Sequence, residues 1–345
     1  MHICNLVSEQ TMKRTFTILA FVLLAVVATV SCKKEEDETK PYLTGTVTFE
    51  LPAYLCKGEL FTVEASGISY PKEITYRWYS QVMAEDSVYA NPATFRAPDS
   101  IGNFTLTATA YSPGYYTSAG SNSFITVDPS WNGSLRGIHR SIHSFTDNRD
   151  GRSYGYVRIG SLDWMTSNLA YDGAGISFMY SPAVDGLFGR FYTWNEATGG
   201  VAGSGLGKGP QGVCPAGWSV PTAEDWMDFA SAVTGRQEEF TGRWEGAGEK
   251  ASAPATFNDD RMWSYSPDNG HTNTLGWNGL PLGSCSVFNT AFSGYGKYGF
   301  WWSSAVNGSD KAWFRYIFED ENAFPAGASN RTDFAANVRC VRLAQ

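Results

Sequence analysis

Gly212-Val213-Cys214-Pro215-Ala216-Gly217-Trp218-Ser219-Val220-Pro221, followed at once by Thr222-Ala223-Glu224-Asp225-Trp226, is the stretch on which the reading of the fold turns. Thr222 and Asp225 stand three apart, as the cap and the third position of a capping box. Trp226, Phe229, Ala230 and Val233 then recur at i, i+3, i+4 and i+7. This spacing predicts a helix that starts just after Pro221, buries one apolar stripe and ends before Gly235. A shorter helix is expected from Thr193 through Trp194 to Ala197. Between these the chain is dense in Trp and Gly and reads as short strands and long loops, so residues 129–345 are expected to form an α+β domain.

Upstream, the pattern changes to alternation. Val47, Phe49 and Leu51 lie on one face, then Phe61, Val63 and Ala65, then Ile74, Tyr76 and Trp78. Two further runs, Phe104 to Ala110 and Ser123 to Val127, are separated from these by turn signals such as Pro98-Asp99, Gly102-Asn103 and Pro113-Gly114. Period two means half-buried strands, and several short strands within about ninety residues argue for an antiparallel β-sandwich over 42–128. The order of features resembles immunoglobulin-like or PKD-like domains, with Trp78 in the place of their buried strand-C tryptophan. With Cys56 as its single cysteine, this segment has no disulfide of its own, and a spacer role is expected. The segment Ser130 to Arg136 reads as a short flexible joint.

The second segment carries a specific resemblance. Thr146 to Tyr154, Val157-Arg158-Ile159-Gly160, Asp163-Trp164-Met165-Thr166-Ser167-Asn168-Leu169, Gly189-Arg190-Phe191-Tyr192-Thr193-Trp194 and the Gly212 to Pro221 stretch come in one order. Phe300-Trp301-Trp302-Ser303-Ser304 and Asn337-Val338-Arg339-Cys340-Val341-Arg342 close it. This order resembles that of the Fibrobacter succinogenes major paralogous domain. The chain departs from it at Ser219, where the family usually has His, and at the additional Cys285. The resemblance implies a C-type-lectin-like fold in which both ends of the domain meet and a disulfide closes the core.

At the N-terminus Met1 and Met12 are both candidate starts, but only Met12 is followed at once by Lys13, Arg14 and the apolar run Phe16 to Val30. Fifteen residues fit the apolar region of a signal peptide and fall short of the about 20 that a spanning helix needs. Ser31-Cys32 then resembles a lipoprotein cleavage site, with Thr29 and Val30 as departures, so residues 1–31 are read as the signal and Cys32 as the lipidated N-terminus. Residues 32–41 hold no apolar residue that could be buried beyond that cysteine and form a charged, solvated tether. Lysines followed by Glu35-Glu36-Asp37-Glu38 beside the lipidated cysteine resemble the surface-export signal of Bacteroidetes lipoproteins. The expected location is the outer membrane, lipid-anchored at the cell surface, with a periplasm-facing position as the alternative.

The whole chain holds 26 basic and 34 acidic residues; removal of the signal takes Lys13, Arg14 and Glu9 and leaves 24 and 33, a net charge of −9. An acidic chain without a basic run is a poor partner for nucleic acid. Once Cys32 carries lipid, Cys56, Cys214, Cys285 and Cys340 allow three complete pairings. The family resemblance implies Cys214 with Cys340, which closes a loop of 126 residues and contributes roughly 5 kcal/mol in the chain-entropy view. Cys56 and Cys285 are then expected as free thiols, and export to an oxidising compartment permits the bridge.

No constellation for catalysis stands out. His139 and His143 have i, i+4 spacing but lack the Glu of a His-Glu-x-x-His zinc site, and there is no Gly-x-Ser-x-Gly elbow or phosphate-cradling glycine loop. Asp147-Asn148-Arg149-Asp150-Gly151 lacks the later bidentate Glu of an EF-hand and reads as a turn entering a strand. Trp277-Asn278-Gly279 departs from the Trp-Asn-Asp that holds calcium in sugar-binding C-type lectins. No metal site, no cofactor and no enzyme activity are expected. The remaining lead is aromatic: Trp263, Tyr265, Trp277 and Asn278 sit among Asn, Asp and Ser in a loop-rich stretch and are the candidate ligand-binding residues, while Trp218, Trp301 and Trp302 are expected in the core. The function expected is a non-catalytic binding or adhesion module for a glycan or surface component; the alternative is a structural or accessory subunit with protein partners only.

Overall fold

The alternating runs of the first segment become strands because each buries one face and leaves the other to solvent. The computed structural model describes residues 39–80 and 88–344, so the signal, Cys32 and most of the tether lie outside the described residues. Gly102–Tyr111 and Ser118–Val127 pair antiparallel along their length, with Thr75–Tyr79 beside the first and Tyr54–Cys56 running parallel to the second. Two hairpin-like pairs, Leu60–Val63 with Ala93–Arg96 and Thr44–Thr48 with Ser66–Tyr70, complete the layers. The core lies between them: Phe61 meets Phe124 at 5.4 Å and Phe95 meets Trp78 at 5.9 Å between ring centroids. Trp78 is buried as expected, and its indole N–H donates to the Ala90 carbonyl at 3.0 Å, which satisfies its one polar atom.

The second segment is also β-rich. His143–Thr146, Ser153–Ile159, Leu162–Met165 and Val341–Leu343 form an antiparallel sheet in that order, so the last strand returns to lie against one of the first. A five-stranded sheet runs Ile176–Ser177, Arg190–Thr193, Phe334–Ala336, Ser284–Ser286, Ala291–Ser293, and a three-stranded one Tyr298–Asn307, Lys311–Phe318, Ala326–Asn330.

The predicted helix is Ala223–Thr234. Thr222 Oγ1 accepts from the Asp225 N–H at 3.1 Å, the Asp225 carboxylate accepts from the Thr222 N–H at 2.9 Å, and Gly235 ends the helix at a left-handed φ of 73°. Its stripe of Trp226, Phe229, Ala230 and Val233 is buried against Trp164, Trp277 and Phe324. The shorter helix is Trp194–Thr198, capped by its own Thr193–Glu196 box. Trp218, Trp301 and Trp302 are in the core as expected, and Cys214 and Cys340 form a disulfide. Cys56 and Cys285 are free. No helix among the described residues is long and apolar enough to cross a membrane.

Pro41 to Gln345 is one compact unit, and the expectation of a flexible joint is corrected. Ser134 donates from its N–H to the Asp128 carbonyl at 2.9 Å, and its hydroxyl accepts from the Asp128 N–H at 2.7 Å. Leu135–Arg136 is a strand paired with Thr256–Phe257. Asn258 joins the two segments directly: its side-chain amide donates to the Thr126 carbonyl at 3.1 Å, and its N–H donates to the Ser134 carbonyl at 2.8 Å. Val127 and Leu135 share an apolar cluster with Phe178, Phe188 and Phe257, against which Tyr54 packs. A polar-looking sequence became rigid because its Ser and Asn side chains cap backbone groups that a loose linker leaves to water.

Candidate functional site

The four residues expected to contact a ligand do not form a surface site. Trp263 is 1% exposed and stacks on the imidazole of His271 at 4.5 Å. Trp277 is 0% exposed, with its ring edge-on to Trp301 at 4.7 Å. The Asn278 amide is committed to the fold: its oxygen accepts from the His139 N–H and the Asn273 amide, both at 2.7 Å, and its nitrogen donates to the carbonyls of His139 at 2.8 Å and Thr166 at 3.1 Å. Of the four, Tyr265 alone is open, at 79% exposure, with the Arg261 guanidinium 5.7 Å from its ring centroid. The correction is physical: in a domain with few helices, loop tryptophans supply the apolar volume that helix stripes supply elsewhere, so polar neighbours in sequence do not place them at the surface.

What Asn278 does instead is line a cleft and bind another of its lining residues, His139. A depression of about 640 Å³ is lined by Trp131, His139, Arg140, Ser144, Thr166 and Asn278 among others. The reciprocal bonds between Asn278 and His139 fix the main chain at one wall. Ser141 ties the next turn, its hydroxyl donating to the Tyr156 carbonyl at 2.5 Å and accepting from the His143 N–H at 3.0 Å. Gly155 is required here, since a Cβ at that position would stand 2.8 Å from the Thr166 hydroxyl and 3.2 Å from Ser141 Cβ.

Trp131, within the segment expected to be a flexible joint, is the aromatic that faces solvent at this cleft, at 44% exposure with the Arg140 guanidinium 5.4 Å from its ring centroid. Its turn is pinned. The Asp128 carboxylate accepts from the Ser130 N–H at 3.0 Å and from the Lys57 ammonium at 2.7 Å, and Gly133 donates to the Ser130 carbonyl at 2.9 Å. The hydrogen bond and charge of Lys57, with Ser130, hold the Asp128 carboxyl well below the usual carboxylate range, so this anchor is ionised throughout the neutral range. A tryptophan inside the turn-forming run Pro129-Ser130-Trp131-Asn132-Gly133, with no apolar neighbour two residues away on either side, was the available signal.

A family model described as Fibrobacter succinogenes major domain matches residues 157–342. The chain belongs to the Fibrobacter succinogenes major domain family. The matched part of this family member begins in the strand Ser153–Ile159 and ends in Val341–Leu343, in the same four-stranded sheet. A search of curated proteins finds no match. Among solved structures, a superoxide reductase (neelaredoxin) from Ignicoccus hospitalis is similar at 18% identity over 24% of this chain and 82% of that chain, with a TM-score of 0.19, and the likeness carries no argument about fold or activity.

Two further features of this Fibrobacter succinogenes major domain are settled by their contacts. Asp147 to Gly151 is a turn joining His143–Thr146 to Ser153–Ile159: Gly151 donates to the Asp147 carbonyl at 2.8 Å, and the Asp147 carboxylate is gripped by Arg149 at 2.7 Å. That guanidinium, 3.8 Å from the Tyr171 ring centroid, holds the Asp147 carboxyl below its ordinary value and occupies the oxygens a cation would need. His139 lies in the cleft wall while His143 stacks on Tyr156 at 5.5 Å. Among the described residues, no group of three or more His, Cys, Asp or Glu is placed to hold a metal ion.

Proposed function

We propose that this protein is a lipid-anchored envelope protein, displayed on the cell surface, whose second segment binds a glycan without catalysing a reaction. The observation that carries the reading is the cleft beside Trp131: a partly exposed indole, on a turn held by Asp128, in a lining that includes serines, whose hydroxyls are of the kind that bond sugar hydroxyls. An aromatic face receives sugar C–H groups while polar atoms around it set orientation. In this reading residues 42–128 are an immunoglobulin-like spacer, residues 129–345 a C-type-lectin-like domain, and Cys32 the lipid attachment point of a Bacteroidetes-type outer-membrane lipoprotein.

A glycan array probed with the purified protein and with Trp131→Ala tests the binding half. Binding by the wild type that is lost in the variant at unchanged melting temperature is the expected result; an array with no signal, or signal indifferent to Trp131, ends it. Protease shaving of intact cells with lipid labelling tests the location: the wild type should be labelled and shaved, and Cys32→Ala unlabelled and released.

One observation favours a second reading, a structural subunit with protein partners. Phe288 is 80% exposed between the strands Ser284–Ser286 and Ala291–Ser293, and Tyr180, itself exposed, packs on Phe292 of the same hairpin. If this reading holds, Phe288→Ser disrupts a native complex extracted from membranes while Trp131→Ala leaves it intact.

A further inference from the structure

We propose that the cleft beside Trp131 selects saccharides bearing an acidic group, a carboxylate or a sulfate ester, with Arg140 as the anion contact. The proposal rests on the glycan-binding reading above and adds the charge class of the ligand. The protein is acidic overall, with 34 acidic against 26 basic residues, so its mean field repels polyanions. The cleft is an exception. Arg140 and His139 line it, and no Asp or Glu is among its described lining residues.

Arg140 stands apart from most arginines here. Arg149, Arg152, Arg158, Arg190 and Arg342 are all ion-paired to aspartates, and Arg136 to Asp259. Among the described residues Arg140 has no ion-pair or hydrogen-bond partner, and its contact is with the ring of Trp131. A guanidinium stacked on an indole keeps its hydrogen-bonding edge available, and its fork matches a carboxylate or sulfate with two parallel bonds. The main chain on both sides of Arg140 is fixed, by Asn278 at His139 and by the Ser141 hydroxyl on the Tyr156 carbonyl. Less ordering is therefore lost on binding than at a loose surface arginine. The same ring would serve both halves of the ligand, stacking on the pyranose while it orients the cation for the acid group.

Matched pairs that share a backbone provide the test: oligogalacturonate against its fully methyl-esterified form for the carboxylate, and sulfated against unsulfated dextran oligosaccharides for the sulfate. Calorimetric titration of the purified protein should show at least one acidic form bound about tenfold more tightly than its neutral partner, weakening as salt rises. The two arms identify which acid group is read. Arg140→Gln, at an exposed position where the melting temperature should not change, should abolish the preference, so that the acidic and neutral members of each pair bind with equal affinity. Equal binding of both members of each pair, or a preference that survives Arg140→Gln, overturns anion selection while the glycan-binding reading stands. Failure of every saccharide, acidic and neutral, to bind the wild type removes both.

Discussion

The guanidinium of Arg339 lies 4.4 Å from the ring centroid of Trp277, and neither side chain reaches solvent. Among the described residues no carboxylate pairs with it. Its Nε donates to the Asn168 side-chain oxygen at 2.7 Å, and its terminal nitrogens donate to the carbonyls of Met165, Trp277 and Asn278. Burial pushes its pKa down to about 9, which leaves it charged at neutral pH. One side chain thereby satisfies acceptors from two loops that are far apart in sequence. Arg339→Met should take a donor from four buried acceptors, of which the Asn168 oxygen keeps the Trp301 indole N–H, and cost about 3–5 kcal/mol, read as a lower urea midpoint. Arg339→Lys should rescue little, because a single ammonium cannot span the positions that the fork reaches.

Trp263→Ala and Trp277→Ala should each act on stability instead of on ligand contact. Both rings are enclosed, and truncating a buried tryptophan costs about 3–5 kcal/mol. Equilibrium unfolding followed by near-ultraviolet circular dichroism should show the loss, while glycan binding by the remaining folded fraction keeps the wild-type affinity.

Both sulfurs of the Cys214–Cys340 disulfide are in the core, and the bridge spans 126 residues. Replacing both by Ala should destabilise the protein by about 2–5 kcal/mol. Dithiothreitol should leave the native bridge intact and reduce it once denaturant opens the core. In the native state a thiol reagent should modify half-buried Cys56 slowly and buried Cys285 more slowly still, since burial also pushes both thiols up and depletes thiolate.

His271 carries a pH dependence whose sign follows from burial. Enclosed against Trp263, with Nδ1 at 2.9 Å from the Ser252 hydroxyl, its imidazole has a pKa lowered to about 4 from an ordinary 6.5. Between those values the unfolded chain binds a proton that the folded one refuses, so stability should fall as pH drops from about 6.5 towards 4. The difference in stability between the wild type and His271→Gln, measured across that window, isolates this contribution from the carboxylates; a flat difference contradicts it.

The parts of the fold that declare themselves in sequence are those with a repeating reason. The stripe from Trp226 to Val233 obeys a helix period and ends at a glycine, and the runs around Val47, Phe61 and Trp78 obey a strand period. Periodicity says nothing about Trp263 and Trp277, which sit in loops where burial is decided by distant partners. His271, Asn273 and Asn278 near them adopt positive φ, which turns short polar side chains onto neighbouring backbone and lets the loop fold inwards. The same polarity misleads in the other direction at Trp131, where Asp128, Ser130 and Ser134 look like a linker and act as a clamp.

The strand in which the matched module begins, Ser153–Ile159, and the one in which it ends, Val341–Leu343, both pair with Leu162–Met165, so its two boundaries lie one strand apart in a single sheet. A module whose ends lie close together can be spliced into a loop of an unrelated host without pulling that host's structure apart. Loops of such a module can change in length without moving the sheet that carries both of its ends.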